Sequence, residues 1–425
     1  MLGRAGLTLP RIVVGAMAYR EGDAARERVL HAAIERGLFA IDTAPLYGFG
    51  RSESQLGRVL AGVRGRVRVL DKVGLRWDGD HGEILFEAII DGQRRAVRRD
   101  SRPRALRADV EGSLARLGIE RIDLCQIHHP DPLVPIEEAI GELLVLRREG
   151  KIDAIGVSNF DDDQLRRAHA ALGPVPLCSH QLPLSLLRPA ARTDAVPSAR
   201  ALGCGVLAYS PLAAGALAGR DPRHAPGPDD DRRWAAEFSP ESRARIGAAT
   251  HRALLPIAAR HDATVAQVAL AWVLAQDVDA AIVGVGDVRQ IDDAIAATQL
   301  ALSQGECETL ARDRLRTCTA FRHHRLRWAS ACSARRDAGG RRGRATSAPC
   351  SARSTRPGRA RRWRSLAPWR SPASPPSRRS TTARSRGARR PTGGSSTARA
   401  PRDGGRARPW PARRSRGTSA RTPAG

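Results

Sequence analysis

Lysine and tyrosine are nearly missing from this sequence, and each scarcity draws attention to the few that remain. The 425 residues hold 71 lysines and arginines, yet the lysines are only Lys72 and Lys151, and the tyrosines only Tyr19, Tyr47 and Tyr209. Where arginine fills nearly every basic position, a retained lysine is a candidate for chemistry that a guanidinium cannot perform. No apolar run reaches the roughly 18 residues that cross a bilayer, and Met1–Pro10 lacks the continuous apolar stretch of a secretory signal. These absences predict a soluble, cytoplasmic protein without a membrane partner. Cys125, Cys178, Cys204 and Cys307 lie far apart, with neither CxxC nor Cys/His spacing, so they predict no structural zinc site and read as reduced, mostly buried thiols.

What is abundant is arginine, and it is unevenly placed. The formal net charge is +27, but residues 316–425 carry 30 arginines and 2 aspartates, which leaves 41 basic and 42 acidic residues in 1–315. The first three quarters of the chain is therefore near neutral. The last 110 residues contain no Lys, Ile, Val, Tyr, Asn, Gln or Glu and only two leucines. Such a segment buries too little apolar surface to offset its ordering entropy, so 316–425 reads as a disordered Arg/Ser/Pro/Ala-rich tail. Two origins fit it. A real tail would tether nucleic acid or an acidic partner, although Trp328, Trp363, Trp369 and Trp410 show no regular spacing for stacking on bases. GC-rich coding DNA read in the wrong frame gives the same composition.

Residues 1–315 alternate short apolar runs with helix-period segments. Eight runs predict strands: Ile12–Gly15, Phe39–Asp42, Val67–Lys72, Ile122–His128, Ala154–Ser158, Ser179–Pro183, Val206–Tyr209 and Ala280–Val285. Between them, Val29, Leu30, Ala33 and Ile34 form one helical stripe, and Leu106, Val110, Leu114 and Leu117 another that ends at Gly118. Pro135 opens a third helix and Thr264 caps a fourth. Eight strands with intervening helices predict an α/β fold, a (β/α)8 TIM barrel. A doubly wound open sheet is the alternative, but no GxGxxG turn follows the first strand. Leu217–Pro240 is a long loop rich in Asp, Pro, Gly and Arg, of the kind that serves as a lid or stays disordered.

Barrels of this kind place reactive groups at the C-terminal ends of their strands. There the sequence puts Asp42, with Tyr47 five residues on, then Lys72, His128, Ser158-Asn159, Gln181 and Tyr209. A free phenol near pKa 10 is a weak acid at neutral pH, and an adjacent ammonium would lower that value. Lys72 can supply the charge, Asp42 can hold it, and His128 can orient a carbonyl oxygen for protonation by Tyr47. No nucleophile is needed, so the natural reaction is hydride delivery to a carbonyl with a proton on oxygen, the hydride coming from a cofactor. Each residue also has a plain reading: Asp42 as a turn former, Tyr47 as packing, Lys72 as a solvated charge, and His128 as a satisfied histidine. His128-His129 is no metal pair if adjacent strand residues face opposite sides.

Asp42-Thr-Ala-Pro-Leu-Tyr47-Gly, Lys72-Val-Gly, Ile-Asp-Leu-Cys-Gln-Ile-His128, Gly-Val-Ser158-Asn159-Phe160 and Ala-Tyr209-Ser-Pro-Leu together resemble the aldo-keto reductases, in family order from about Gly6 to about Arg314. The resemblance implies a (β/α)8 barrel and NAD(P)H-dependent interconversion of an aldehyde or ketone with an alcohol. It implies Tyr47 as general acid, Lys72 and Asp42 as its tuning pair, and His128 as the orienting residue. It assigns Ser158, Asn159 and Gln181 to the nicotinamide carboxamide, Tyr209 to stacking on the ring, and Ser210, Leu212 and Gly215 to the pyrophosphate path. Gly284, Asp287, Gln290 and Asp293 fall at the adenosine end. The family's usual cofactor is NADP, held by a basic stretch after the last strand. Here Gly286-Asp287 stands in that stretch and leaves NAD open, unless Arg289 takes over. Asp293-Ala294 replaces the usual Glu-Asn pair, and Leu184 a common aromatic residue. Some relatives are regulatory cofactor-binding barrels, which is the competing role.

Overall fold

The computed structural model describes residues 1–17, 23–219, 226–227, 232 and 235–312, together with the backbone of Trp328–Ala329. The chain opens with β1 (Ile12–Gly15), α1 (Ala24–Glu35), β2 (Ala40–Asp42), α2 (Arg51–Leu60) and β3 (Arg68–Val73). Three strands outside the expected set follow: β4 (Leu75–Arg76), β5 (Ile84–Ile90) and β6 (Gln93–Arg99). Next come α3 (Pro103–Leu117), β7 (Ile122–Ile127), α4 (Ile136–Arg148), β8 (Ile152–Ser158), α5 (Asp162–Ala171), β9 (Ser179–Pro183), α6 (Ala195–Ala201) and β10 (Gly205–Tyr209). The last elements are α7 (Pro240–Ala249), α8 (Leu255–Arg260), α9 (Val265–Leu274), β11 (Ala280–Val283), α10 (Val288–Ala297), α11 (Gln304–Arg312) and β12 (Trp328–Ala329).

Eight strands close into one parallel barrel in the order β1-β11-β10-β9-β8-β7-β3-β2, with Ile12 facing Ala281 and Val14 facing Ile41 across the closing seams. The fold is the (β/α)8 barrel, and every expected barrel strand is present. Boundaries shift by a residue or two. His128 lies one position beyond β7, and β11 ends at Val283, where the chain turns toward α10. The helix signals act as read: Gly118 takes the left-handed conformation (φ 63°) after α3, and Thr264 forms a capping box with Gln267. Among residues 316–425 only Trp328–Ala329 is described, pairing parallel with β5. The expected disordered tail otherwise lies outside the described residues, as does half of the Leu217–Pro240 loop.

Side-chain alternation divides the core into two shells. Val13, Ala40, Leu70, Leu124, Leu207 and Ile282 fill the barrel interior. Their neighbours Val14, Ile41, Val69, Cys125, Val206 and Val283 face the helices. Leu2 plugs the N-terminal end of the interior, and the backbone N–H of Arg4 donates to Gly203 O at 2.9 Å. A Cβ on Gly205, where β10 begins, would lie 2.4 Å from Leu2 Cδ1, so the plug requires glycine there. The opposite end carries the polar residues.

The inserted strands β5 and β6 form a hairpin across Asp91-Gly92, both at positive φ, the turn an Asp-Gly pair favours. Leu75, Phe86, Ala88, Ile90 and Val97 make a third apolar cluster that packs on Leu46, Phe49 and Trp77. The hairpin therefore braces the loop that carries Tyr47.

Candidate active site

On several strands the interior parity carries a polar side chain to the C-terminal mouth. Two residues beyond Ala40 stands Asp42, two beyond Leu70 stands Lys72, two beyond Leu207 stands Tyr209, and Gln126 and His128 continue the row of Leu124. Lys72 is fully buried. Its Nζ donates to Asp42 Oδ1 at 2.6 Å, to Thr43 O at 3.1 Å and to Tyr47 OH at 3.1 Å. The ring of His128 meets the ring of Tyr47 edge-on at 6.0 Å. The four residues read as reactive thus meet at the C-terminal mouth of the barrel.

Their electrostatics differ from expectation in one respect. Burial pulls the Lys72 ammonium down, but Asp42 and Tyr47 together outweigh it and hold the lysine above its ordinary value, so it stays charged. Burial raises the Tyr47 phenol, Lys72 lowers it and Asp42 raises it again; the balance lies above, not below, the ordinary value. The ammonium pulls in the expected direction, and desolvation is the larger effect. Burial, with Lys72 and His129 beside it, holds His128 well below its ordinary value, which makes it a neutral imidazole at pH 7.

His129 also departs from the expected geometry. Because β7 ends at Ile127, the two histidines leave the strand's alternation, and their rings stack at 5.5 Å with 16° between planes. Opposite-face geometry is therefore not what separates them from a metal pair. Among the described residues no group of three or more His, Cys, Asp or Glu is arranged to hold a metal.

The residues read as cofactor contacts fall in three groups. Ser158 and Gln181 are buried at the mouth, and Asn159 follows in a left-handed conformation (φ 62°). Asn159 Nδ2 donates to His128 O and to Ser158 Oγ, both at 3.0 Å, while its Oδ1 accepts from Tyr209 OH at 2.9 Å. Gln181 Nε2 donates to Asp42 Oδ2 at 2.8 Å, a grip on that carboxylate that sequence did not suggest. Burial pushes the Tyr209 phenol up to about 12. After β10, Ser210, Ala213 and Ala214 adopt positive φ together with Gly215, a strained turn at the exit of the seventh barrel strand, where phosphate sites of this fold recur.

At the exit of β11, Gly284 opens onto free space. Asp287 caps α10 by accepting from Gln290 N at 3.1 Å, and Gln290 Oε1 accepts from Gly286 N at 2.6 Å, so both side chains close the turn. Asp293 accepts from Gln267 Nε2 at 2.9 Å and ties α10 to α9. Leu212 packs against the outer core. The buried amide Nε2 of Gln126 has no partner, and Ser179 Oγ donates to Gln126 Oε1 at 3.1 Å.

The profile of the Aldo/keto reductase family matches residues 11–312. The chain belongs to the aldo/keto reductase family. It is 32% identical over 278 residues to the probable aldo-keto reductase 1 of Glycine max, covering 65% of this chain and 75% of that one. It is 37% identical over 283 residues to the uncharacterized oxidoreductase Mb2320 of Mycobacterium bovis, covering 66% and 78%. Among solved structures, the glycerol dehydrogenase AKR11B4 from Gluconobacter oxydans superposes with a TM-score of 0.65 at 33% identity, covering 74% of this chain and 94% of that one. The thermostable aldo-keto reductase Tm1743 gives 0.55 at 26% identity, covering 74% and 98%. Family membership makes this a carbonyl–alcohol oxidoreductase that works with a nicotinamide cofactor. Among the described residues no helix is long and apolar enough to cross a membrane.

In this aldo/keto reductase several groups around the site escaped the sequence reading. Gln126 and Ser179 share the interior parity of His128 and Gln181, a signal that strand alternation alone could have supplied. Behind β3, on the helix side, lies a buried acidic group comprising Glu53, Asp71 and Asp109. Arg116 Nε pairs with Glu53 at 2.7 Å, and Arg76 Nη1 with Asp109 at 2.6 Å. Burial pushes Asp109 up to about 7 despite Arg76. The folded state therefore holds this proton more tightly than the unfolded chain, and stability falls as pH rises from about 4 to about 7. Urea midpoints at acidic and slightly alkaline pH check this: Asp109→Asn is expected to narrow the difference. An unchanged difference would place the pH dependence on other groups.

Proposed function

We propose that this protein reduces a small aldehyde or ketone with NADPH, and oxidises the corresponding alcohol in reverse, with Tyr47 as the proton donor and acceptor. One observation carries the reading: the Lys72 ammonium lies within hydrogen-bond distance of both the Asp42 carboxylate and the Tyr47 hydroxyl. A reduced nicotinamide bound at the mouth would supply the hydride. The phenol gives its proton to the carbonyl oxygen, and the phenolate left behind faces the ammonium. Neutral His128 orients the carbonyl oxygen by donating a hydrogen bond, and Gln181 holds Asp42 in place.

The donor set fits such a cofactor. Ser158, Asn159, Gln181 and the unpartnered amide of Gln126 present polar atoms where a carboxamide would lie, and the Tyr209 ring borders them. The turn of Ser210, Leu212 and Gly215 would follow the pyrophosphate. Gly284, Asp287, Gln290 and Asp293 would border the adenosine end. Likeness to a glycerol dehydrogenase supports including small polyols and their carbonyl forms among the substrates.

The test is oxidation of NADPH by the full chain with a panel of aldehydes and ketones, and reduction of NADP by alcohols that include glycerol. Tight cofactor binding without turnover on any of them would instead favour a regulatory barrel. The pH dependence is a separate check. Because Tyr47 sits above the roughly 10 of a free phenol, carbonyl reduction should stay flat through neutral pH and fall only in strong alkali. Alcohol oxidation, which needs the phenolate, should climb with pH. A reduction rate that falls between about pH 6 and 8 would indicate a titrating imidazole as the donor.

A further inference from the structure

We propose that Arg26, in the first turn of α1, supplies the cation that holds the 2′-phosphate of NADP, replacing the basic side chain that the β11–α10 turn lacks. The inference rests on the nicotinamide reading above and assigns the residue that selects between the two dinucleotides. On the turn itself, Gly286 has no side chain and Asp287 would repel a phosphate. Arg289 is 92% exposed, with its Nε 3.9 Å from Asp287.

Arg26 reaches this turn from another element. Its Nη1 donates to Val285 O at 3.0 Å, and the same atom lies 2.8 Å from where a Cβ on Gly286 would stand. The guanidinium thus occupies the space that a side chain at position 286 would fill, and the glycine is what admits it. A planar five-donor fork can hold the Val285 carbonyl and a phosphate oxygen together. A cation in the first turn of a helix works against the helix dipole. Here the Asp23 carboxylate, which caps α1 and lies 3.7 Å from Arg26 Nε, offsets that.

The experiment titrates the full chain and its variants with NADPH and with NADH, following fluorescence of the bound nicotinamide, and adds 2′,5′-ADP and 5′-ADP as competitors. Arg26→Ala is expected to weaken NADPH binding at least about tenfold, the loss of a charge-assisted hydrogen bond, while NADH binding moves less than about twofold. 2′,5′-ADP should lose its advantage over 5′-ADP. The charge can then be returned from the other side: Arg26→Ala/Gly286→Arg should restore most of the NADPH affinity, because removing Arg26 frees the space that the new side chain needs. Equal losses for both dinucleotides would mean that Arg26 only supports the turn, and unchanged affinity for both would mean that it does not touch the site; either overturns the proposal. Wild-type protein that binds neither dinucleotide would overturn the nicotinamide reading itself, an outcome distinct from both.

Discussion

Tyr47→Phe is expected to lower kcat for carbonyl reduction by about 10² to 10⁴, the usual contribution of a positioned general acid, with NADPH affinity unchanged within about twofold. The substitution removes one oxygen and leaves the ring, the Lys72–Asp42 pair and the His128 contact in place. Stability should therefore change by only about 1 kcal/mol, the net worth of one hydrogen bond. The nearest alternative donor is the Lys72 ammonium, but Asp42 at 2.6 Å and a raised pKa hold its proton tightly. His128 is neutral, and its N–H is a far weaker acid than an imidazolium. Single-turnover rates with saturating NADPH, alongside a thermal melt to confirm folding, decide the matter. Wild-type turnover in the Tyr47→Phe variant would remove Tyr47 from the proton path.

Sequence made the barrel legible because a parallel β-strand buried on both faces and a half-buried helix have different periods, and most of the barrel strands end at or beside a polar residue, the exceptions being β1 and β11. Asp42, Lys72, His128, Gln181 and Tyr209 were found by that rule. Three features escaped it for physical reasons. The β5–β6 hairpin carries arginines along β6 and little apolar alternation, so Asp91-Gly92 was its only sharp signal. His129 followed the strand rule on paper, whereas the strand stops at Ile127 and the rule stops with it. Arg26 lies 259 positions from Val285 along the chain, and contact across that separation depends on α1 and α10 meeting at the barrel's closing seam. Desolvation was the remaining omission: a neighbour's charge can be read from spacing, but the burial that outweighs it at Tyr47 cannot.

The second large effect concerns Lys72, the residue whose retention in an arginine-rich chain first singled it out. Scarcity alone did not identify it, since Lys151 is equally rare and pairs at the surface with Glu111 and Glu149, where an arginine would serve. At the fully buried Lys72 three ammonium donors meet three acceptors, Asp42 Oδ1, Thr43 O and Tyr47 OH, a compact arrangement that the planar fork of a guanidinium does not match. Lys72→Met keeps the length and apolar stem but leaves the Asp42 carboxylate buried without its cation, which is expected to cost about 3–5 kcal/mol. Adding Asp42→Asn removes the stranded charge and should recover most of that loss in urea midpoint. Activity should not return with it, because Tyr47 would still lack the ammonium that stabilises its phenolate. If the double substitution is no more stable than Lys72→Met alone, the pair is not coupled as the 2.6 Å contact implies. If the double substitution is active, the ammonium is dispensable to the chemistry and the lysine serves only the fold.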